Sequence, residues 1–306
     1  MQWGQIKTLF ILSFLILDLF LLQQFLTKQE EAQVGTLQDS MFDESPAENN
    51  VEISGDVPEE APEVSFLIAS LSDFSESQLD GIRDLTDQEA QVFNENLLVS
   101  TLDEPVDIED DEEEITEVVG EYVPFISQYS YWGWNEQRDK ILFFQTTNTR
   151  TVYYNSGGVL MVDVEDGQMT GYQLTQLRED EDDSGDEREL LEPIDVIDIL
   201  YEDQVITTGD EVTEMKIGYY SAATFDPTQV FAPIWKITVN GEEDLFVNAV
   251  TGEGRMLDID EDEFIEATTE YFMDVMDENG EDIITNEEAD EEENDDESSS
   301  DEEEEE

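Results

Sequence analysis

From Leu9 to Leu26 the chain carries a single charged side chain, Asp18, in an otherwise apolar run relieved only by Ser13, Gln23 and Gln24. As a helix rising about 1.5 Å per residue this run reaches about 27 Å, close to the ~30 Å hydrocarbon core of a bilayer. The pattern predicts one membrane anchor over residues 8–27, preceded by a cytoplasmic tail, 1–7. A cleaved signal peptide is the rival reading, yet "QQFLTKQEEAQ" shows no small-x-small cleavage site close behind the apolar stretch. Lys7 and Lys28 flank the run almost evenly and orient it weakly. No second apolar span follows, so the rest of the chain falls on one side, taken here as outside the cell membrane.

A carboxylate at mid-span costs about 2.5 to 3.5 kcal/mol on insertion scales. Helical spacing surrounds Asp18 with Phe14, Leu15, Leu21 and Leu22, with Ile11 and Phe25 a turn further out, and none of these side chains can hydrogen-bond to it. The plain reading is a protonated carboxyl tolerated in lipid. The functional one makes Asp18, Phe14, Leu15, Leu21, Leu22 and Phe25 a partner-binding face for another transmembrane helix.

Beyond the anchor, residues 28–62 are rich in Gln, Glu, Asp, Ser and Pro and read as an acidic stalk. "TDQE" at Thr86–Glu89 has capping-box spacing and predicts a helix over about Asp87–Leu98, with Val92, Phe93 and Leu97 on one face. Then the period changes. "YSYWGW", "KILFFQTT", "TVYY" and "GVLMVDV" are aromatic and β-branched runs between turn signals, which predict antiparallel strands. A second such unit holds "MKIGYY" and "APIWKITVNGEEDLFVNAV", with Asn240-Gly241 as a hairpin turn between Trp235–Val239 and Leu245–Val250. Between the units "LLEPIDVIDILYE" predicts a buried helix from about Pro193.

Met161–Met169 aligns without gaps on Phe246–Gly254, which raises two repeats of a small β-unit against the alternative that any two hairpins look alike. Near the end, Phe264, Ile265, Tyr271, Phe272, Val275 and Met276 form one stripe of an amphipathic helix over 258–280, with Gly280 as its cap. Such a stripe packs on its own domain or docks a partner. The whole pattern is α+β, mostly antiparallel sheet with a few helices over 63–257, followed by a disordered acidic tail, 281–306.

Charge changes the picture of partners. Against 83 Asp and Glu stand 11 Lys and Arg, a formal net charge of -72, so nucleic acid and anionic headgroups are repelled. Acidic tracts at Asp110–Glu114, Glu179–Glu189 and Glu287–Glu306 read as disordered. The acid scattered among apolar segments predicts a salt-loving or alkaline habitat and a domain that unfolds in low salt. There is no cysteine and no histidine, which removes disulfides, thiolate nucleophiles, Ser-His-Asp catalysis and His- or Cys-ligated metals. No GxSxG elbow, phosphate loop or HExxH occurs, leaving only a carboxylate hydrolase among enzymes. "DIDEDEF" starts at Asp258 like a calcium loop, but Glu263 stands where Gly is needed and Thr269 where the bidentate Glu belongs. No catalytic residue, cofactor or metal site is assigned. Tyr131, Trp132 and Trp134 fit either a ligand groove or a core.

The opening "MQWGQIKTLFILSFLILDLFLLQQFL" resembles the amino terminus of the YycI proteins of Gram-positive bacteria, down to an Asp inside "LILDLFL". "GVLMVDVEDGQMTGYQ", a helix, "IGYY", "PIWKITV" and "LFVNAVTGE" are similar to the YycI domain and its relative YycH. The resemblance implies a non-enzymatic, single-pass membrane protein with an extracytoplasmic domain related to part of YycH. It also implies partners: a YycH-like protein, in a homo- or heterodimer, and the sensor histidine kinase YycG, or WalK, of the cell-wall two-component system, contacted through transmembrane helices. The alternative is an anchored surface module that binds wall polymer, peptide or cations.

Overall fold

Strands apolar on both faces need cover on both sides, and the computed structural model shows two sheets arranged to supply it. The structure describes residues 51–180, 189–222, 228–251, 256–278 and 284–285. In chain order these form β1 (Glu52–Asp56), β2 (Leu67–Leu71), α1 (Glu76–Arg83), β3 (Gln88–Phe93), β4 (Leu97–Asp107), α2 (Glu112–Tyr122), β5 (Tyr129–Trp134), β6 (Lys140–Thr147), β7 (Arg150–Thr151), β8 (Val159–Glu165), β9 (Gln168–Thr175) and β10 (Leu177–Glu179). They continue with α3 (Pro193–Glu202), β11 (Glu211–Tyr220), β12 (Thr228–Val239), β13 (Glu243–Asn248), β14 (Met256–Leu257), α4 (Glu261–Glu278) and β15 (Ile284–Thr285). The α+β class with mostly antiparallel sheet holds. The anchor expected over 8–27 lies outside the described residues; among those, no helix is long and apolar enough to cross a membrane.

One sheet runs β15-β3-β4-β9-β8-β6-β5, with β7 on β6. Alternation along its strands feeds two cores. Ile141, Phe143, Leu160 and Val162 pack against Ile82 of α1 and Ile115 and Val119 of α2. Leu142, Phe144, Val159 and Met161 point the other way, toward α4 and residues of the second sheet. The second sheet runs β1-β11-β12-β13-β14, with β2 joining β12 to β10, and buries Trp235, Ile237 and Val247 under Val196, Ile197 and Leu200 of α3. In each sheet a helix precedes a four-stranded meander: α2 then β5, β6, β8, β9, and α3 then β11, β12, β13, β14. The aligned segments fall on the third strand of each, where Val162 pairs with Ile141 and Val247 with Trp235.

Asn240 and Gly241 turn the β12–β13 hairpin with φ of 55° and 72°, the left-handed pair that such a turn requires. Other expectations need correcting. Asp87–Leu98 is a hairpin and not a helix. Gln88, Ala90 and Val92 are buried while Glu89 and Gln91 face outward, a period of two, and Asn94 and Glu95 reverse the chain at φ 49° and 63°. Asp110–Glu114 is ordered: Asp111 caps α2 by accepting from the N–H groups of Glu113 and Glu114 at 3.0 and 3.3 Å, and acidic residues suit that end of the helix dipole. Residues 51–62, assigned to the stalk by composition, include β1, which pairs in parallel with β11, and Val51 is buried in the α3-side core. Of "TVYY" only Thr151 stays in strand, as the second residue of β7; the chain then crosses between sheets, bridging Val152 to Tyr219.

Candidate functional site

β5 is an edge strand among the described residues, and a register shift between Tyr131 and Gly133 breaks its alternation, so that its aromatic side chains split between two cores with Tyr131 and Trp134 on the same side. Tyr131 and Trp134 lie on the α2 side, where Tyr131 meets Phe143 edge-on at 5.5 Å and the Arg138 guanidinium sits 4.5 Å from the Trp134 ring. Trp132 turns the opposite way, into the space between the two sheets. Its ring lies 5.4 Å from Phe144, 5.6 Å from Tyr153, 5.5 Å from Tyr154 and 6.1 Å from Phe246. Phe264 of α4 closes the cluster, 5.4 Å from Tyr154 and 6.0 Å from Phe144. These aromatics are a core joint between two sheets and a helix. Tyr153 enters it because Gly218 leaves room: a Cβ there would overlap the Tyr153 ring and lie 2.7 Å from the Thr151 carbonyl oxygen.

Polar groups at the rim of the cluster are matched. Glu261, in the first turn of α4, accepts from Trp132 Nε1 at 2.8 Å and from the Tyr154 hydroxyl at 3.3 Å. Burial, then the Glu261 charge, push the Tyr154 hydroxyl well above its ordinary pKa. Lys236 lies 5.5 Å from the Trp132 ring centre and pairs with Asp244 at 2.9 Å and Glu214 at 3.2 Å, with Thr238 Oγ1 at 3.1 Å. Burial pushes Glu214 up, but Lys216 and Lys236 together outweigh it and hold its carboxyl below the usual range. Among the described residues no group of three or more carboxylates is placed to hold a metal ion. Asp260, inside the calcium-loop-like "DIDEDEF", instead accepts from the Glu263 N–H at 3.0 Å at the start of α4.

The predicted partner face, Asp18 with Phe14, Leu15, Leu21, Leu22 and Phe25, lies outside the described residues. The stripe Phe264, Ile265, Tyr271, Phe272, Val275 and Met276 does pack on the chain's own domain; Gly280 is outside the described residues. Lys236 was legible in principle, as a lone cation inside the apolar strand "PIWKITV" of a chain with few cations. Glu261 was not, because acid is everywhere in this sequence.

Compared with known proteins, the chain matches the family model described as YycI protein over residues 31–250. No curated relative matches it. Among solved structures, an uncharacterized protein from Eubacterium rectale is 14% identical, with 68% of this chain and 90% of that one covered and a TM-score of 0.39. The YpeB C-terminal domain of Bacillus megaterium is 9% identical, with 61% and 99% covered and a TM-score of 0.34.

Proposed function

Because the chain belongs to the YycI family, a regulatory, non-catalytic family of the YycG/WalK kinase system, we propose that it is a single-pass membrane regulator of such a sensor kinase, acting with a YycH-like partner. Residues 8–27 form the anchor, the domain from about residue 51 stands outside the cell, and control passes through helix contacts in the membrane. The observation that carries this reading is Asp18 in the middle of the apolar run. Its carboxyl meets a polar group on a partner helix through the face of Phe14, Leu15, Leu21, Leu22 and Phe25, which offsets the insertion cost of about 2.5 to 3.5 kcal/mol and selects the partner. The two helix-and-meander units are the part of the domain related to YycH.

The described domain supports a scaffold role, since of the aromatics that could have lined a ligand groove Trp132 joins the two sheets and Tyr131 and Trp134 pack on the α2-side core. The test is co-purification from native membranes of the wild type, of Asp18→Leu, and of a chain whose anchor is an unrelated span. A histidine kinase and a YycH-like protein retained by the wild type and lost from both variants is the expected result. Asp18→Leu that expresses fully and keeps both kinase association and kinase output overturns the role of Asp18.

A further inference from the structure

The helix α4 and the strand β15 lie beyond the last residue that the family model covers, residue 250, yet they close the molecule. Phe264, Ile265 and Phe272 of α4 are buried against the face that carries Phe93, Leu97, Phe144, Tyr154 and Phe246. β15 then adds to the outer edge of β3, Ile284 opposite Val92 and Thr285 opposite Gln91. The attraction is apolar burial, two hydrogen bonds to Glu261 and a two-residue ladder.

Charge opposes it. Eight of the eighteen residues of α4 are acidic and none is basic, and from Met256 to Glu306 there is no Lys or Arg at all. Asp262, Glu263, Glu266, Glu270, Asp274 and Asp277 are exposed, and among the described residues α4 makes no ion pair. Asp274 and Asp277 also lie in the last turns of the helix, where the dipole disfavours anions. An acidic helix is thus held by a short-range apolar contact against the repulsion of an acidic domain. Only the repulsion is long-ranged, and only it is weakened by salt. The Debye length falls from about 10 Å at 0.1 M to about 3 Å at 1 M.

We propose that α4 and β15 form a clasp gated by ionic strength: closed when screening is strong, it seals the aromatic face and the β3 edge, and open when screening is weak, it exposes both. Resting on the regulatory reading above, this gives the outer domain a quantity to report, the salt concentration outside the cell. The opened surface is an apolar helix-accepting face beside a free strand edge, while the meanders stay folded at about 0.1 M and unfold, as the composition predicts, only at lower salt.

Hydrogen exchange with mass spectrometry on the full chain in nonionic detergent, between about 0.1 and about 1 M KCl, tests the clasp without any kinase. Lowering the salt is expected to speed exchange in residues 261–278, and at Gln91–Val92 where β15 pairs, by about tenfold or more, about 1.4 kcal/mol, with residues 159–175 still protected. Asp274→Lys with Asp277→Lys should move the closing transition to lower salt, and Phe272→Ala to higher salt. The charge reversal separates screening from a general strengthening of apolar burial, which it would leave unchanged. Exchange of α4 that ignores salt, that moves only together with residues 159–175, or that is unaffected by the charge reversal overturns the clasp. None of these outcomes bears on whether Asp18 holds a kinase.

Discussion

Replacing Lys236 by Met keeps the unbranched apolar stem of the side chain, one atom shorter, and deletes one charge from a place where the chain can least lose it. In the folded protein its Nζ lies 2.9 Å from Asp244 and 3.2 Å from Glu214, with side-chain exposures of 13% for the lysine and 28% and 29% for the carboxylates. A fully buried pair broken on one side costs about 3 to 5 kcal/mol, and an exposed pair about 0 to 1. The intermediate burial here, with Lys216 still on Glu214, places Lys236→Met at about 2 kcal/mol of destabilisation at neutral pH. For a domain of this size that is a fall in Tm of about 4 to 8 °C. The pH dependence carries the argument. Glu214 has a depressed pKa in the folded state, so its contribution is present above the ordinary glutamate value of about 4.3 and is lost as pH falls through the lower folded value. The deficit of the variant should therefore shrink on acidification below about pH 4. Calorimetric or circular-dichroism melts of both proteins at fixed high salt, at neutral and acid pH, measure it. A deficit of equal size at both pH values would refute the electrostatic account and leave a packing defect.

Gly218→Ala should destabilise by about 3 kcal/mol, at the upper end for overpacking, because the added methyl meets the Tyr153 ring and the backbone oxygen of Thr151 where the chain crosses between sheets; a change in denaturant midpoint below a few tenths molar would show that the joint can yield. Burial raises the hydroxyl pKa values of Tyr129, Tyr153, Tyr154 and Tyr172. A raised folded pKa gives stability that is whole below the unfolded value of about 10 and is lost as pH rises past it. Ultraviolet titration should accordingly show these four ionising only together with unfolding, and smooth ionisation near pH 10 in a folded protein would contradict their placement.

Long, strongly periodic segments were legible: the helix at Pro193, the Asn240-Gly241 hairpin, and the α4 stripe follow from local pattern and turn chemistry. Asp87–Leu98 misled because "TDQE" satisfies a capping template while Gln88, Ala90 and Val92 satisfy a strand, and only the neighbouring β4 decides between them. Asp110–Glu114 misled because composition registers charge without its place on a helix, where Asp111 turns it into a cap. β1 was hidden because a strand of mixed polarity at a sheet edge needs little apolar content, and its partner β11 lies more than 150 residues away in sequence. Glu261 gained its meaning only from Trp132 and Tyr154, which no spacing rule connects to it.

The parallel pairing of β1 with β11 also has a mechanical side. At its first described residues the chain is already a sheet strand, with the Glu52 N–H bonded to the Asp210 carbonyl oxygen at 3.0 Å and register from Glu52 opposite Glu211 onward. A tug along that strand loads its hydrogen bonds together, in shear, whereas a sideways pull peels them one after another. The β1–β11 pairing is therefore stiff along one direction and weak across it, so this edge of the sheet answers to the angle of a force as well as to its size.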